Sequence, residues 1–163
     1  MSTRRNAREI LLKLVYIGES RGMHVKETFD EMSAVDRAIE ESGDSEEKKE
    51  LRPFSGGLDS AQEEYVRYLG KRIEEHSEEL NTIISPLLKN WQLSRVSRID
   101  RIIMCIALAE MIYMPDIPTT VSINEAIELG KQYSSEKSPA FINGVLDAAL
   151  KTLDSPDNMQ EQT

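Results

Sequence analysis

The run Ile102 to Met114, IIMCIALAEMIYM, carries a single charge, Glu110, and constrains the chain more than any other stretch. A surface helix is apolar along one stripe, whereas this segment is apolar all round and must be enclosed by other elements. It is shorter than the roughly 20 residues needed to cross a bilayer. The expectation is a helix at the centre of a soluble core. Glu110 then needs a hydrogen-bond donor or a route to water. A structural hydrogen bond is the first reading of it, a partner contact the second and catalysis the third.

The rest of the chain supplies helices to do the enclosing. Thr3 to Arg21 places Leu11, Leu14, Val15 and Gly18 at helical spacing, with Ser2 or Thr3 as its cap. Val25 to about Ser42 repeats the pattern with Phe29, Met32, Val35 and Ile39. The segment SGDSEEKKELRPFSGGLDS is charged, with Gly-Gly and Pro, and reads as a mobile loop or a frayed helix end. Asp59 or Ser60 opens a helix carrying Tyr65, Leu69, Ile73, His76 and Leu80. A shorter piece runs from Leu80 to Trp91, with Pro86 marking a boundary and Trp91 filling space beside the central helix. The central helix opens at Ser94 and closes at Pro115. Pro118 to Tyr133 follows. Ser138-Pro139 then reads as an N-cap with proline in the first turn of a last helix, which carries Ile142, Val145, Leu146, Ala149 and Leu153. The polar tail from residue 154 to 163 is expected to be disordered.

No run of period-2 alternation stands out. The fold class is all-α, a compact bundle of about seven helices with short connections. A chain of 163 residues makes one domain over residues 1–153. Its N-terminal lobe is expected over about 1–80 and its C-terminal lobe over about 81–153.

Charge is unevenly spread. The net charge is −9, of which −7 falls between Glu27 and Glu50 and −2 on the remainder, so a local basic patch is compatible with an acidic protein. The single cysteine, Cys105, lies in the apolar run, and no Cys/His spacing suits a metal. No apolar segment follows the N-terminal charges. Together these favour a reducing, cytoplasmic setting with no membrane association. There is no glycine-rich phosphate loop, nucleophile elbow or metal-binding helix pair, so neither an enzyme nor a cofactor is expected.

Two motifs remain. In RRNAR, Arg4 and Arg8 share one face of a helical turn and Arg5 flanks it. Such guanidiniums contact phosphates or stack on bases. The rival reading is a solvated basic start, although a helix N-terminus favours acids over bases. In SSEKSPAF, Lys137 lies four residues before Phe141, at the start of the last helix. A cation beside a ring there makes a stacking platform for an unpaired base. The rival reading places Phe141 in the core.

The stretch DIPTTVSINEAIELGKQYSSEKSPAFINGVLD resembles the C-terminal signature of the NusB family of bacterial transcription antitermination factors, from Asp116 to Lys131 and again from Phe141 to Asp147. RRNARE with Tyr16 is similar to the family's opening helix, and Arg98 to Glu110 to its central one. Cys105 and Ala109 stand where relatives commonly have Arg and Tyr, Asn6 interrupts a basic run, and Lys137 is acidic in some relatives.

The resemblance implies a NusB-like fold in two small lobes. It implies binding of boxA-type single-stranded nascent RNA together with NusE, a small-subunit ribosomal protein. The complex would join the RNA polymerase elongation complex and support read-through, notably of ribosomal RNA operons. By resemblance, RNA contacts fall to Arg4, Arg5, Arg8, Lys137, Ser138 and Phe141, and NusE contacts to Tyr16 and Asp100. The basic start and the joint are expected side by side. Two rival arrangements follow from relatives: a homodimer or regulatory scaffold that hides its RNA face, and a stand-alone version of the RNA-binding module of ribosomal RNA cytosine methyltransferases.

Overall fold

In the computed structural model, residues 3–43, 58–88 and 96–154 are described. Among them are seven α-helices, one 3-10 turn and no strand. The helices are α1 (Thr3–Arg21), α2 (Val25–Glu41), α3 (Ser60–Glu75), α4 (Ser77–Ile84), α5 (Arg98–Tyr113), α6 (Thr119–Tyr133) and α7 (Ser138–Leu153), with the 3-10 turn at Ser85–Leu88. No helix among the described residues is long and apolar enough to cross a membrane. The chain divides into two compact units, Met1–Glu74 and Glu75–Thr163. The expected helix start at Ser94, the packing role of Trp91, most of the acidic loop and the tail lie outside the described residues.

The first unit is built on α1. Ala7, Leu11, Leu14 and Val15 are buried along its stripe. The helix ends in a Schellman turn: Gly22 takes a φ of 67°, and the Met23 N–H donates to the Gly18 carbonyl at 2.8 Å. Helix α2 begins with no side-chain cap on His24. Glu74 at the end of α3 takes that role, accepting from the Val25 N–H and lying 3.4 Å from His24 Nδ1. Burial on α2 concentrates in its first two turns at Val25, Thr28 and Phe29, with Asp36 further on. Val35, expected on the apolar stripe, is exposed.

Helix α3 opens with a reciprocal cap. The Gln62 N–H donates to Asp59 Oδ1 at 2.8 Å, and the Asp59 N–H donates to Gln62 Oε1 at 3.0 Å. Tyr65, Val66, Leu69 and Ile73 form its buried face. Gly70 lets it approach α2 closely, since a Cβ there would stand 2.7 Å from Val25 Cγ1. Arg67 ties the pair from outside. It lies over the Phe29 ring at 4.3 Å and bonds Glu63 at 3.0 Å and Asp30 at 3.2 Å. Partial burial opposes its charge, but the two carboxylates outweigh that and raise its pKa.

The second unit is arranged around α5, as its composition requires. Every residue from Ile102 to Glu110 is buried, and α4, α6 and α7 all pack on this helix. Cys105 is a free buried thiol. Helix α6 packs on α7 as well, and Ile142, Leu146 and Ala149 of α7 are fully enclosed. Glu110 is 0% exposed and accepts from the Ser122 hydroxyl of α6 at 3.0 Å. The structural reading of that carboxylate is the one realised.

Two boundaries differ from those read in the sequence. The helix expected to run from residue 59 or 60 to Leu80 breaks at His76, where φ is −117° and ψ 22°. The His76 ring stacks on Tyr113 of α5 at 5.1 Å, a long-range contact that fixes the break and leaves no local signature. Pro86 falls inside the 3-10 turn, where its missing N–H ends the α-helical pattern.

Candidate nucleic-acid interface

The basic start of α1 is only partly a surface. Arg4 and Arg5 are exposed. Arg8 is 2% exposed, and its guanidinium carbon lies 5.9 Å from the centre of the Tyr65 ring. The expected three-arginine face is thereby corrected to two. The reason was present in the spacing: Leu11, Leu12 and Val15 stand three, four and seven residues beyond Arg8, so Arg8 belongs to the buried stripe. Tyr16 lies off that stripe and is 41% exposed.

In the second unit, the joint between α6 and α7 folds against the start of α5. Ser97 caps α5, its hydroxyl accepting from the Asp100 N–H at 3.1 Å. Asp100 is 8% exposed and its two oxygens are held by hydroxyls of the joint. Ser134 donates to Oδ1 at 2.6 Å, and Ser138 donates to Oδ2 at 2.9 Å. Ser138 also meets the hydroxyls of Ser134 and Ser135, each at 2.9 Å.

This arrangement corrects the reading of Ser138 as a helix cap. Ser138 is 2% exposed and does not cap α7, because its hydroxyl is engaged by Asp100. It positions the joint and does not offer itself at the surface. Asp100, which the resemblance assigns to the NusE side, anchors the joint through both of its carboxylate oxygens. Sequence reading missed Ser97, Ser134 and Ser135. The only available signal was the density of hydroxyls in SSEKSP, which matters once a carboxylate on another helix faces it.

Lys137 immediately precedes α7 and Phe141 lies in its first turn, the Phe141 N–H donating to the Lys137 carbonyl at 3.3 Å. Lys137 is exposed and Phe141 half-buried. Both line a cavity of about 240 Å³ together with Ser97, Asp100, Ser135 and Ser138. Of these, Asp100 and Ser138 are buried, Phe141 is half-buried, and Ser135 and Lys137 are exposed. Among the described residues, no group of His, Cys, Asp and Glu side chains is placed to hold a metal ion.

A helical scaffold of this kind is the architecture of the bacterial antitermination factors. The structure of T. maritima NusB superposes with a TM-score of 0.76 at 26% identity, covering 98% of this chain and 99% of that one. A crystal structure of the antitermination factors NusB and NusE in complex with double-stranded RNA superposes with a TM-score of 0.69 at 25% identity, covering 93% of this chain and 98% of that one. The NusB family model matches residues 5–151. The transcription antitermination protein NusB of Clostridium botulinum (strain Kyoto / Type A2) is 38% identical over 143 residues, 88% of this chain and 96% of that protein. That of Myxococcus xanthus (strain DK1622) is 44% identical over 92 residues, 56% of this chain and 66% of that protein. The chain belongs to the NusB family.

Proposed function

We propose that this protein is a transcription antitermination factor. It binds boxA-type single-stranded nascent RNA together with NusE, and the assembly supports read-through by RNA polymerase in the bacterial cytoplasm, notably on ribosomal RNA operons. Family membership across residues 5–151 carries the reading. The protein acts as an adaptor: it binds RNA and does no chemistry on it.

Two surfaces do the binding, each argued by itself. Arg4 and Arg5 supply long-range, salt-sensitive attraction to phosphates at the exposed start of α1. Lys137 and Phe141 take an unpaired nucleotide at the joint, the ammonium on phosphate and the ring against a base. Arg8 and Ser138 support these surfaces from within the fold. The exposed ring of Tyr16 faces NusE.

The test is an anisotropy titration of the purified chain with boxA-like and scrambled RNA, each with and without NusE. Tighter binding to the boxA-like strand, strengthened by NusE, is expected. Equal affinity for the two strands overturns the RNA reading, and equal affinity with and without NusE removes the heterodimer.

A further inference from the structure

We infer that the second half of α2 is a docking face for a cationic amphipathic helix of a protein additional to NusE. The face shares no residue with the surfaces assigned to RNA and NusE. Val25, Thr28, Met32, Val35 and Ile39 stand at alternating spacings of three and four, the seam that one helix offers to another. Its first part is covered within the protein. Val25 and Thr28 are buried, as is Phe29 beside them, with Val25 against Gly70 of α3 and Phe29 beneath Arg67. Further along, the same seam surfaces. Met32 and Ile39 are half-buried, and Val35 is 43% exposed. Ala34 and Ala38, one position either side of the Val35 turn, are exposed as well. From Met32 to Glu41 the helix runs about 15 Å, close to three turns.

Charge selects the occupant. Apart from the buried Asp36, α2 carries Glu27, Asp30, Glu31, Glu40 and Glu41 against Lys26 and Arg37. Arg67 answers Asp30 at 3.2 Å and Arg21 answers Glu31 at 3.1 Å. Glu27 and Glu41, one before the uncovered stretch and one at its end, are exposed and have no ion pair among the described residues. The apolar centre is thus rimmed by negative charge. Phosphate, whether of RNA or of a lipid, is repelled by such a rim. A second copy in a two-fold contact would bring the same acids against themselves. The tail from residue 154 to 163 carries acids and no base.

A helix rich in lysine or arginine on one face and aliphatic on the other satisfies both halves of this surface. Its aliphatic side chains meet Val35, Ala38 and Ile39, as an amphipathic helix lays its apolar face on an apolar partner. Its cations stay at the solvated rim, near Glu27 and Glu41, where they speed encounter and fix orientation. One helix laid over three turns of another makes a small contact, so the complex is transient and weakens with salt.

The experiment uses the full chain and a fluorescein-labelled model peptide with leucines at the three-and-four spacing and lysines elsewhere. A peptide of the same composition in scrambled order controls for charge alone. The patterned peptide is expected to bind more tightly than the scrambled one, and backbone amide NMR shifts are expected to move along α2. Val35→Ser, a neutral change at an exposed position, should lower affinity for the patterned peptide about fivefold, the scale of one partly exposed aliphatic side chain entering an interface. Glu27→Gln with Glu41→Gln should weaken binding and flatten its salt dependence. Equal binding of the two peptides, shifts confined to other helices, or a Val35→Ser variant that binds as the wild type does overturns the inference. Loss of peptide binding in the presence of saturating NusE assigns the face to NusE and overturns it too. A concentration-dependent dimer that Val35→Ser dissolves assigns the face to a second copy, with the same result. Should Val35→Ser lose helicity, the glutamine pair, at exposed positions, decides.

Discussion

The Ser122 hydroxyl on α6 donates to Glu110 Oε1 on α5 at 3.0 Å, and both side chains are sealed from solvent. This bond joins α5, buried at every residue from Ile102 to Glu110, to the helix that follows it.

Ser122→Ala removes that donor from a buried carboxylate. The expected cost is about 1–3 kcal/mol, read as a lower urea midpoint with an unchanged slope. Because the two side chains share one bond, Ser122→Ala combined with Glu110→Gln should cost less than the sum of the single changes. Strict additivity in that cycle would show the pair to be uncoupled.

Gly130 and Gly144 look alike in sequence as sites of close approach, and the structure separates them. A Cβ on Gly130 would stand 2.9 Å from Ile142 Cδ1, whose side chain is fully buried, while nothing lies within 4 Å of one on Gly144. Gly144→Ala should therefore stabilise by about 0.5–1 kcal/mol through helix propensity alone. Gly130→Ala should destabilise by about 1 kcal/mol or more as α6 and α7 are pushed apart. Thermal melts of the two variants should shift in opposite directions.

Asp59→Ala breaks the reciprocal cap at the start of α3. It leaves the Gln62 N–H without the acceptor now at 2.8 Å and should cost about 1 kcal/mol. Asp59→Asn retains an oxygen at the same place and should recover most of the loss. Chemical denaturation of both variants checks the pair, and equal destabilisation by the two would remove the cap from the account.

Arg4→Ala with Arg5→Ala should weaken RNA binding most at low salt. If each arginine neutralises one phosphate of a single strand, the slope of log affinity against log salt should become shallower by about 1.4. Arg8→Ala acts differently. Its guanidinium is buried beside Tyr65, so that change should lower thermal stability and leave the salt slope unaltered. A shallower slope for Arg8→Ala would restore it to the RNA surface.

Helix spacing, the unbroken apolar run and the signature from Asp116 to Asp147 were enough to read the class, the order of the helices and the family from sequence. Periodicity is a local property, and a solvated or buried stripe is written into every turn. Arg8 could have been assigned correctly by the same logic, from its spacing to Leu11, Leu12 and Val15. The break at His76 could not, since Tyr113 on another helix decides it. Likewise SSEKSP reads as a polar turn until Asp100, more than thirty residues earlier, is brought against it.

What the sequence by itself determined is which segments coil and which faces turn inward, because backbone geometry repeats every 3.6 residues and apolar area follows it. The tertiary structure alone decided which polar groups are consumed internally and which are left to meet a ligand. Ser138 and Asp100 could each have faced solvent; packing α7 against α5 committed their hydrogen bonds to one another, with Lys137 exposed and Phe141 half-buried at the cavity they line. Hydrogen bonds between distant residues depend on where whole helices dock, and that placement carries no signature in the local chain.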